Sequence, residues 1–340
     1  MVRGLIALLA IVISIAFSCT GMDVTLKKKE ETLIQWPTPP QRPRIRYIGS
    51  IEKVPNKRGW FKRIVETIFG REEPLARFVR PYGVFTDTNG IMYVTDPGAH
   101  LLYILNMEAG ESLEIRDING IKLLSPIGIT GDRDYVYLTD SILKRLFVLD
   151  KMGGYVREIG GDDMFVRPAG VAVDGNRLYV VDTHRHQVLV FDKDKGNLLF
   201  TIGRNGTDKG EFNFPTNVFV GRDGFLYIMD TLNFRVQIFN KDGGFVSMFG
   251  KNGDGSGDFS KSKGIAVDSE GHIYVADAHF DCVQIFDRDG RLLLIFGKTG
   301  TGDGEMSLPA GIFIDESDRV YVADSYNRRV QVFQYSKEDI

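Results

Sequence analysis

Four of the five histidines lie where they could take part in binding or catalysis, because each follows an aspartate by two or four residues. These four are His100 after Asp96, His184 and His186 after Asp182, and His279 after Asp277. Neutral imidazoles are common zinc ligands, and a zinc ion held by three of them keeps an open position for hydrolytic or lyase chemistry. A shared metal or ligand site requires these segments to converge in space. The alternative is that each histidine pairs with its own aspartate.

The aspartates belong to a repeat, and the repeat predicts the elements that position the histidines. Its six copies end at Asp96, Asp140, Asp182, Asp230, Asp277 and Asp324. Each copy has a Pro-x-Gly-like start, a short apolar stretch, a turn, and a Tyr-containing stretch that ends in the aspartate. A period of about 40 to 50 residues made of several short strands is typical of a β-propeller blade. We therefore expect an all-β, six-bladed propeller over residues 81–335.

A polar loop follows each aspartate and joins the second and third strands of the blade. Arginine occupies the fifth position after the aspartate in blades two, four and six, as Arg145, Arg235 and Arg329. A guanidinium there can pair with the carboxylate and fix the loop. Blades one, three and five have Leu101, Gln187 and Cys282 at that position, and these blades carry the four histidines. We therefore expect the histidines to replace arginine as partners of Asp96, Asp182 and Asp277.

The fourth strand of the last blade is expected to come from the N-terminal side of the propeller. Blades one to five continue into a further apolar segment, such as YVREIG or LLFTIG, whereas blade six has none. The segment IRYIG at positions 45–49 has the same form. We expect residues 43–56 to supply the missing strand, because closing the ring removes unpaired strand edges.

The first 18 residues have the form of an export signal, with an apolar run from Leu5 to Phe17 that is too short to span a bilayer comfortably. A small residue, Ser18, directly precedes Cys19. This arrangement resembles the bacterial lipobox, whose cysteine is acylated, although Ala16 stands where that motif usually has leucine. We expect Cys19 to be lipidated and the protein to be exported and held on a membrane, in the periplasm or on the cell surface.

Two segments are expected between this anchor and the blades, on either side of the closing strand. Residues 19–42 combine a charged run with WPTPPQRP, which predicts a polar tether without a core. Residues 57–80 contain GWFKRIVETIFG, whose apolar positions fall on one helical face. We expect a short amphipathic helix that packs on the propeller. The alternative is a helix at the lipid interface.

Composition argues against two classes of protein. The chain of 340 residues is 43% apolar with a net charge of −3, so it is an ordinary globular chain without a general excess of cations for nucleic acid. We therefore do not expect a nucleic-acid partner. Cys19 and Cys282 are the only cysteines, which excludes a disulfide framework.

The full pattern resembles the NHL repeat, a six-bladed β-propeller family that includes exported bacterial proteins. The segments YVADSYNRRVQVF in blade six and YIMDTLNFRVQIF in blade four follow the pattern closely. Blades one and two keep the strands but depart in the loop, with DPGAHLLYIL and DSILKRLFVL. Members of the family include RNA-binding regulators, substrate readers of ubiquitin ligases and an amidating lyase, so the resemblance implies the fold without fixing the function.

The resemblance to the lyase implies a test for enzyme activity. In that enzyme, zinc is held by histidines in the second position of Pro-His-Gly starts, which face the central channel. The residues in that position here are Tyr82, Ile127, Ala169, Thr216, Lys263 and Ala310. None is a usual zinc ligand, and of the nearby residues only Asn217 fits the calcium site of related lactonases. We therefore expect no enzyme activity, no cofactor and no metal.

Three glycine-rich loops, GRNGTDKGEF, GKNGDGSGDF and GKTGTGDGEM, could at first sight bind phosphate. They lack the following helix whose amides would hold the anion, so we interpret them as turns between blades. A calcium site that uses Asp254, Asp258 or Asp303 is the alternative.

The loops after the repeat aspartates present aromatic and arginine side chains together, as recognition surfaces do. The candidate ligand-binding residues are His184, Arg185, His186, Asn233, Phe234, His279, Phe280, Tyr326, Asn327 and Arg328. We expect a membrane-tethered binding scaffold that recognises a protein, a peptide or a cell-envelope polymer through these loops. The alternative is a hydrolase or lyase with a channel site of another kind.

Overall fold

The computed structural model describes residues 33–52, 77–160 and 163–337. The predicted signal segment, Cys19 and the predicted helix at positions 60–69 lie outside the described residues. No helix in the described ranges is both long and apolar enough to cross a bilayer.

The described residues form six antiparallel sheets arranged as the blades of a propeller, which confirms the predicted all-β fold. The N-terminal strands are β1 (Gln35–Trp36) and β2 (Ile45–Ile51). Blade one contains β3 (Val84–Thr86), β4 (Ile91–Asp96), β5 (Leu101–Asn106) and β6 (Glu111–Ile115). The hairpin of β7 (Asp117–Ile118) and β8 (Ile121–Lys122) leads to blade two.

Blades two to four each consist of four strands in chain order. Blade two contains β9 (Pro126–Gly131), β10 (Val136–Asp140), β11 (Arg145–Leu149) and β12 (Tyr155–Ile159). Blade three contains β13 (Pro168–Asp174), β14 (Arg177–Asp182), β15 (Gln187–Asp192) and β16 (Leu198–Ile202). Blade four contains β17 (Pro215–Val220), β18 (Leu226–Asp230), a 3-10 turn (Thr231–Asn233), β19 (Arg235–Phe239) and β20 (Phe245–Phe249).

The last two blades differ in the source of their outer strand. Blade five contains β21 (Ser262–Val267), β22 (Ile273–Asp277), β23 (Cys282–Phe286) and β24 (Leu292–Phe296). Blade six contains β25 (Pro309–Ile314), β26 (Arg319–Asp324) and β27 (Arg329–Tyr335). In this sheet β2 pairs antiparallel with β27, Ile45 facing Tyr335 and Ile51 facing Val330, and β1 adds to the outside.

Apolar side chains between neighbouring blades form the core. Six clusters of buried residues fill the six spaces between adjacent sheets. The tyrosine of each repeat lies in one of these clusters. Successive side chains of the second strand point to opposite faces of the sheet, and neighbouring blades cover both faces. Its hydroxyl reaches the edge of the blade, where Tyr137 donates to Asp132 and Tyr227 donates to Asp223. Each tyrosine thus buries a large apolar body while its polar end finds a partner.

The first strand of each blade lies closest to the central channel, and contacts between these strands run around the whole ring. The glycine at the third position of the repeat permits this approach. A Cβ on Gly128 would lie 2.1 Å from the Ala169 carbonyl oxygen, and one on Gly311 would lie 2.2 Å from that of Tyr82. The Pro-x-Gly start is therefore explained by close approach of neighbouring backbones at the channel.

Candidate functional site

The six repeat aspartates are fully buried, and each holds two loops together. Asp96 accepts the backbone N–H groups of Val79 at 2.6 Å and Arg80 at 2.9 Å, in the segment that leads into its own blade. It also accepts the N–H of Ala99 in the loop after the second strand. We call the surface made by both kinds of loop the loop face. It consists of residues 97–100, 141–144, 183–186, 231–234, 278–281 and 325–328 with the segments leading into each first strand.

In blades four and six an arginine completes this arrangement, as predicted. Arg329 Nε donates to Asp324 Oδ2 at 2.8 Å, and its other nitrogens donate to the carbonyls of Thr301, Gly302 and Glu305. Arg235 makes the same contacts with Asp230 at 2.8 Å and with the glycine-rich loop before blade four. The glycine-rich loops in front of these blades therefore serve as acceptors for a buried guanidinium.

The predicted pairing of Arg145 with Asp140 is wrong. Arg145 Nη1 donates instead to Glu158 at 2.6 Å, on the neighbouring outer strand. Asp140 already accepts N–H groups of Leu124 and Ser125 on one oxygen and of Ile142 and Leu143 on the other. A carboxylate that already accepts four backbone N–H groups does not need the guanidinium as a further donor.

The prediction that histidine side chains replace arginine is also wrong, because none of the described imidazoles contacts a repeat aspartate. The Nδ1 of His100 hydrogen-bonds the Leu124 carbonyl, and His184 Nε2 lies 3.5 Å from Arg167 Nη1. His186 is buried and its Nδ1 accepts the Phe214 N–H at 3.1 Å. The aspartates accept backbone N–H groups instead, with Arg185 Nε also 3.5 Å from Asp182 Oδ2 and the Ser262 hydroxyl donating to Asp277. His279 contributes only its own N–H to Asp277.

The ten candidate ligand-binding residues divide into internal and exposed ones. Asn233 and Asn327 each donate to the repeat aspartate and to a glycine carbonyl, so their amides are engaged within the loops. Phe234 and Phe280 are partly buried, and Phe234 packs between blades four and five. Five candidates remain exposed on the loop face: His184, Arg185, His279, Tyr326 and Arg328. They belong to three loops: His184 and Arg185 to that of blade three, His279 to that of blade five, and Tyr326 and Arg328 to that of blade six.

A ring of exposed apolar side chains on the loop face was missed at the sequence level. It consists of Val79, Leu124, Ile142, Val166, Phe214, Leu232, Leu308 and Tyr326, with exposures from 36% for Phe214 to 68% for Tyr326. We call these eight residues the apolar ring. Five of them lie one or two residues before the first residue of a blade. An apolar residue at this position of the repeat was the sequence feature that could have indicated the surface. Exposed apolar residues gathered on one face of a protein are typical of a binding surface.

The channel is lined mainly by backbone and apolar side chains, with a cavity of about 450 Å³ that includes Tyr82, Thr216 and Asn217. At its loop-face end, the Lys263 ammonium lies 5.8 Å from the centre of the Tyr82 ring. Burial raises the pKa of the Tyr82 hydroxyl to about 12. Burial also lowers the pKa of Lys263, and the nearby charges of Arg80 and Lys261 lower it further. Within the described ranges, no group of three potential metal-binding side chains occurs.

The glycine-rich loops offer little free carboxylate for calcium. Asp258 accepts the N–H of Gly255 and lies 3.4 Å from the Lys251 ammonium. Asp303 accepts the hydroxyl of Tyr47 from β2 at 3.0 Å. Both aspartates therefore have protein partners of their own.

His272 lies at the opposite end of the propeller, in a cavity of about 550 Å³. The cavity is also lined by Arg42, Arg44, Glu270 and Tyr335 among others. His272 Nδ1 hydrogen-bonds Asp268 Oδ2 at 2.9 Å, and this contact raises the pKa of His272. The pair holds a turn between the first and second strands of blade five.

Comparisons with known proteins agree with this fold. The NHL repeat matches residues 165–191 and 306–333, and a family described as 6-bladed beta-propeller matches residues 222–283. Protein brain tumor of Drosophila melanogaster is 33% identical over 91 residues, which cover 26% of this chain and 9% of that protein. NHL repeat-containing protein 2 of Bos taurus is 33% identical over 108 residues, covering 28% of this chain and 15% of that protein. The chain thus spans only a small part of these relatives.

A solved virginiamycin B lyase of Staphylococcus aureus superposes with a TM-score of 0.56 at 14% identity, over 76% of this chain and 96% of that one. At this identity the likeness concerns the fold alone. Taken with the six sheets, the shared segments identify this chain as a six-bladed β-propeller that carries NHL repeats.

Proposed function

We propose that this protein is a binding scaffold whose loop face recognises a protein, a peptide or a cell-envelope polymer. The observation that carries the proposal is the apolar ring, which exposes eight apolar side chains on loops that buried aspartates hold in place. A rigid surface loses little conformational entropy when a partner binds, so its apolar area contributes more fully to affinity.

The proposed location follows from the sequence of the N-terminal segment. We propose that the signal directs export and that acylated Cys19 holds the propeller on a membrane. A Cys19→Ser variant of the full chain should then fold normally but appear in the soluble fraction after high-salt washing. A variant that stays with the membranes would contradict the lipid anchor.

The loop face is tested by capture of partners from solubilised membranes of the source cell. Replacing Leu308 and Tyr326 together with alanine should remove the captured partner, because exposed apolar and aromatic anchors often contribute about 2 kcal/mol or more each. The matched control replaces Leu198 and Leu199, which are 39% and 44% exposed on the outer strand of blade three. Equal capture by both double variants, with unchanged melting temperatures, would place the binding surface elsewhere.

The alternative function, a hydrolase or lyase, requires a metal or an activated side chain within the channel. Metal analysis of the purified full chain is therefore the second test, and a tightly bound zinc or calcium ion at one equivalent per chain would favour the enzyme over the scaffold.

A further inference from the structure

Cationic residues from alternate blades lie at the loop-face end of the channel. Arg80, Arg167 and Lys261 each directly precede the first residue of blades one, three and five, and Lys263 follows in the second position of blade five. The corresponding positions of the other blades are neutral: Ser125, Ile127, Phe214, Thr216, Leu308 and Ala310. We call Arg80, Tyr82, Arg167, Lys261 and Lys263 the channel mouth.

These side chains lie close enough to act on one another. The Lys263 ammonium of blade five lies 5.8 Å from the centre of the Tyr82 ring of blade one. The charges of Arg80 and Lys261 act on the Lys263 ammonium, and that of Arg167 acts on the Tyr82 hydroxyl. The residues from blades one, three and five therefore share one local electrostatic environment.

No acidic side chain in the described part of the protein forms an ion pair with any of these four cations. Asp277 is the acid whose charge reaches Lys263, but it is fully buried and already accepts the Lys261 N–H and the Ser262 hydroxyl. The guanidinium of Arg167 lies 3.5 Å from His184 Nε2. Several cations without an ion-pair partner among the described residues, one of them half-buried, form a site that favours an anion.

The surroundings indicate which kind of anion fits. A nucleic acid needs cations spread along a track that follows its phosphates. Here the channel mouth shares the loop face with the apolar ring, whose residues come from every blade except blade five, so a single anionic group on an otherwise apolar chain matches the surface better. Below the mouth the channel is a cavity of about 450 Å³ lined by Gly83, Gly128 and Gly311 among others, and the end of a chain can enter it from the loop face.

On the basis of the proposed function, we propose that the channel mouth binds the C-terminal carboxylate of a peptide whose preceding apolar side chains rest on the apolar ring. The guanidinium groups of Arg80 and Arg167 suit a planar carboxylate, because their N–H donors match its two oxygens. The Tyr82 hydroxyl stays protonated at neutral pH and can donate a further hydrogen bond. Lys263 supplies the charge at the base of the site.

The test uses two pools of random N-acetylated hexapeptides without Asp or Glu, one with free C-terminal carboxylates and one with C-terminal amides. Both are passed over the immobilised full chain, and the retained peptides are quantified by mass spectrometry. We expect wild-type protein to retain the carboxylate pool at least about five-fold over the amide pool, since a charge-assisted contact is worth roughly that ratio or more. The Lys263→Met and Arg167→Gln variants should each reduce the ratio below two-fold. Lys241→Gln, which removes an exposed cation from the turn between β19 and β20 at the end away from the loop face, should leave it unchanged.

Several results would overturn the proposal. A ratio near one for wild-type protein would do so, including the case in which neither pool is retained, and so would a preference that persists when Lys263 and Arg167 are both replaced. Tighter retention of a single-stranded RNA 12-mer than of the carboxylate pool would assign the cations to a polyanion instead. If envelope partners are still captured through Leu308 and Tyr326 in any of these cases, the scaffold function stands and only the carboxylate subsite fails.

Discussion

Blades four and six differ from blade five in how they hold the glycine-rich loop in front of them. In blades four and six, Asn and Arg side chains connect the buried aspartate to the loop carbonyls. Blade five has Phe280 and Cys282 at these two positions. Its aspartate, Asp277, accepts hydrogen bonds from the Ser262 hydroxyl and from backbone N–H groups instead.

The three loops nevertheless adopt the same form. Each contains a parallel bridge, between Asn205 and Phe212, Asn252 and Phe259, and Thr299 and Met306. Each also has a glycine N–H bound by the glutamine of the third strand, as Gly257 is bound by Gln284 at 2.9 Å. The large apolar residue that ends the bridge is fully buried in all three. The glycines, the glutamine and the buried apolar residue therefore determine the shape, and we infer that the guanidinium adds stability to it.

The largest expected effect comes from removing a guanidinium. Arg329→Met removes the cation from the buried carboxylate of Asp324, which keeps only neutral donors such as Asn327 and Gln331, and it takes one donor from each of three loop carbonyls. Burial already raises the pKa of Asp324. We expect the free energy of unfolding to fall by about 3 kcal/mol or more, measured by urea denaturation. The control is Arg145→Met, whose partly exposed pair with Glu158 should be worth less than about 1 kcal/mol. Equal losses in the two variants would show that the loop contacts of Arg329 contribute nothing specific.

A smaller effect of opposite sign is expected when blade five is given the missing side chains. Phe280→Asn with Cys282→Arg would place a guanidinium beside Asp277 and the carbonyls of the loop at positions 250–258, which has the same bridge as its two counterparts. We expect a gain of about 1 kcal/mol in unfolding free energy. Cys282 is buried and burial raises the pKa of its thiol to about 12, so no thiolate is lost in the exchange. A less stable double variant would mean that blade five has repacked around Phe280 and no longer has room for the guanidinium.

Blade five also differs from blades four and six in having Lys263, where they have Thr216 and Ala310. Replacing Lys263 should slightly stabilise the protein. Burial lowers the pKa of Lys263, so the unfolded chain binds more protons than the folded one between the folded and unfolded pKa values. Stability of the wild type therefore rises with pH across that window. Lys263→Met should flatten this rise and increase the melting temperature at pH 7 by roughly 2 °C, measured by calorimetry. An unchanged pH profile would mean that solvent or a bound anion already compensates the ammonium.

The smallest expected effect concerns His272 in the turn of the same blade. The hydrogen bond with Asp268 raises the pKa of His272, so the folded state holds the proton more tightly than the unfolded state. This contribution to stability is present below the unfolded pKa and is lost as pH rises through the folded pKa. Glu270, Arg44 and Tyr335 also face the ring, and solvent screening should keep the change below about 1 kcal/mol. His272→Gln should remove this dependence of the unfolding free energy on pH between about pH 6 and 8. An unaltered pH dependence would assign it to another group.

The sequence predicted the propeller because its repeat recurs six times. It predicted the pairing of Arg235 with Asp230 and of Arg329 with Asp324 because the segments after these two aspartates follow the family pattern closely. It failed for Arg145 and the histidines for one physical reason. A buried carboxylate has a limited number of acceptor positions, and the backbone amides that occupy them come from segments whose path the sequence pattern does not specify.

The binding surface could be predicted only in part. Tyr326 and Arg328 are exposed, whereas Asn233 and Asn327 share the same sequence context but donate inward to aspartate and glycine carbonyls. The exposure of residues before the blade starts, such as Phe214 and Arg167, does not follow from their position in the repeat, because it depends on how the neighbouring loops are placed. Composition likewise gave no sign of the channel mouth, since its cations are balanced by acids elsewhere on the chain.

The pairing of β2 with β27 has a consequence for the order in which the molecule forms. Blades one to five are built from consecutive strands and can arise from local chain contacts as the polypeptide emerges. Blade six must bring together segments separated by nearly the whole chain, which makes its formation slow and places it late in folding. Trp36, which lies 5.8 Å from Phe296 and 5.9 Å from Phe333 between ring centres, acquires these neighbours only at that step. Its fluorescence should therefore lag behind the appearance of β-structure during refolding.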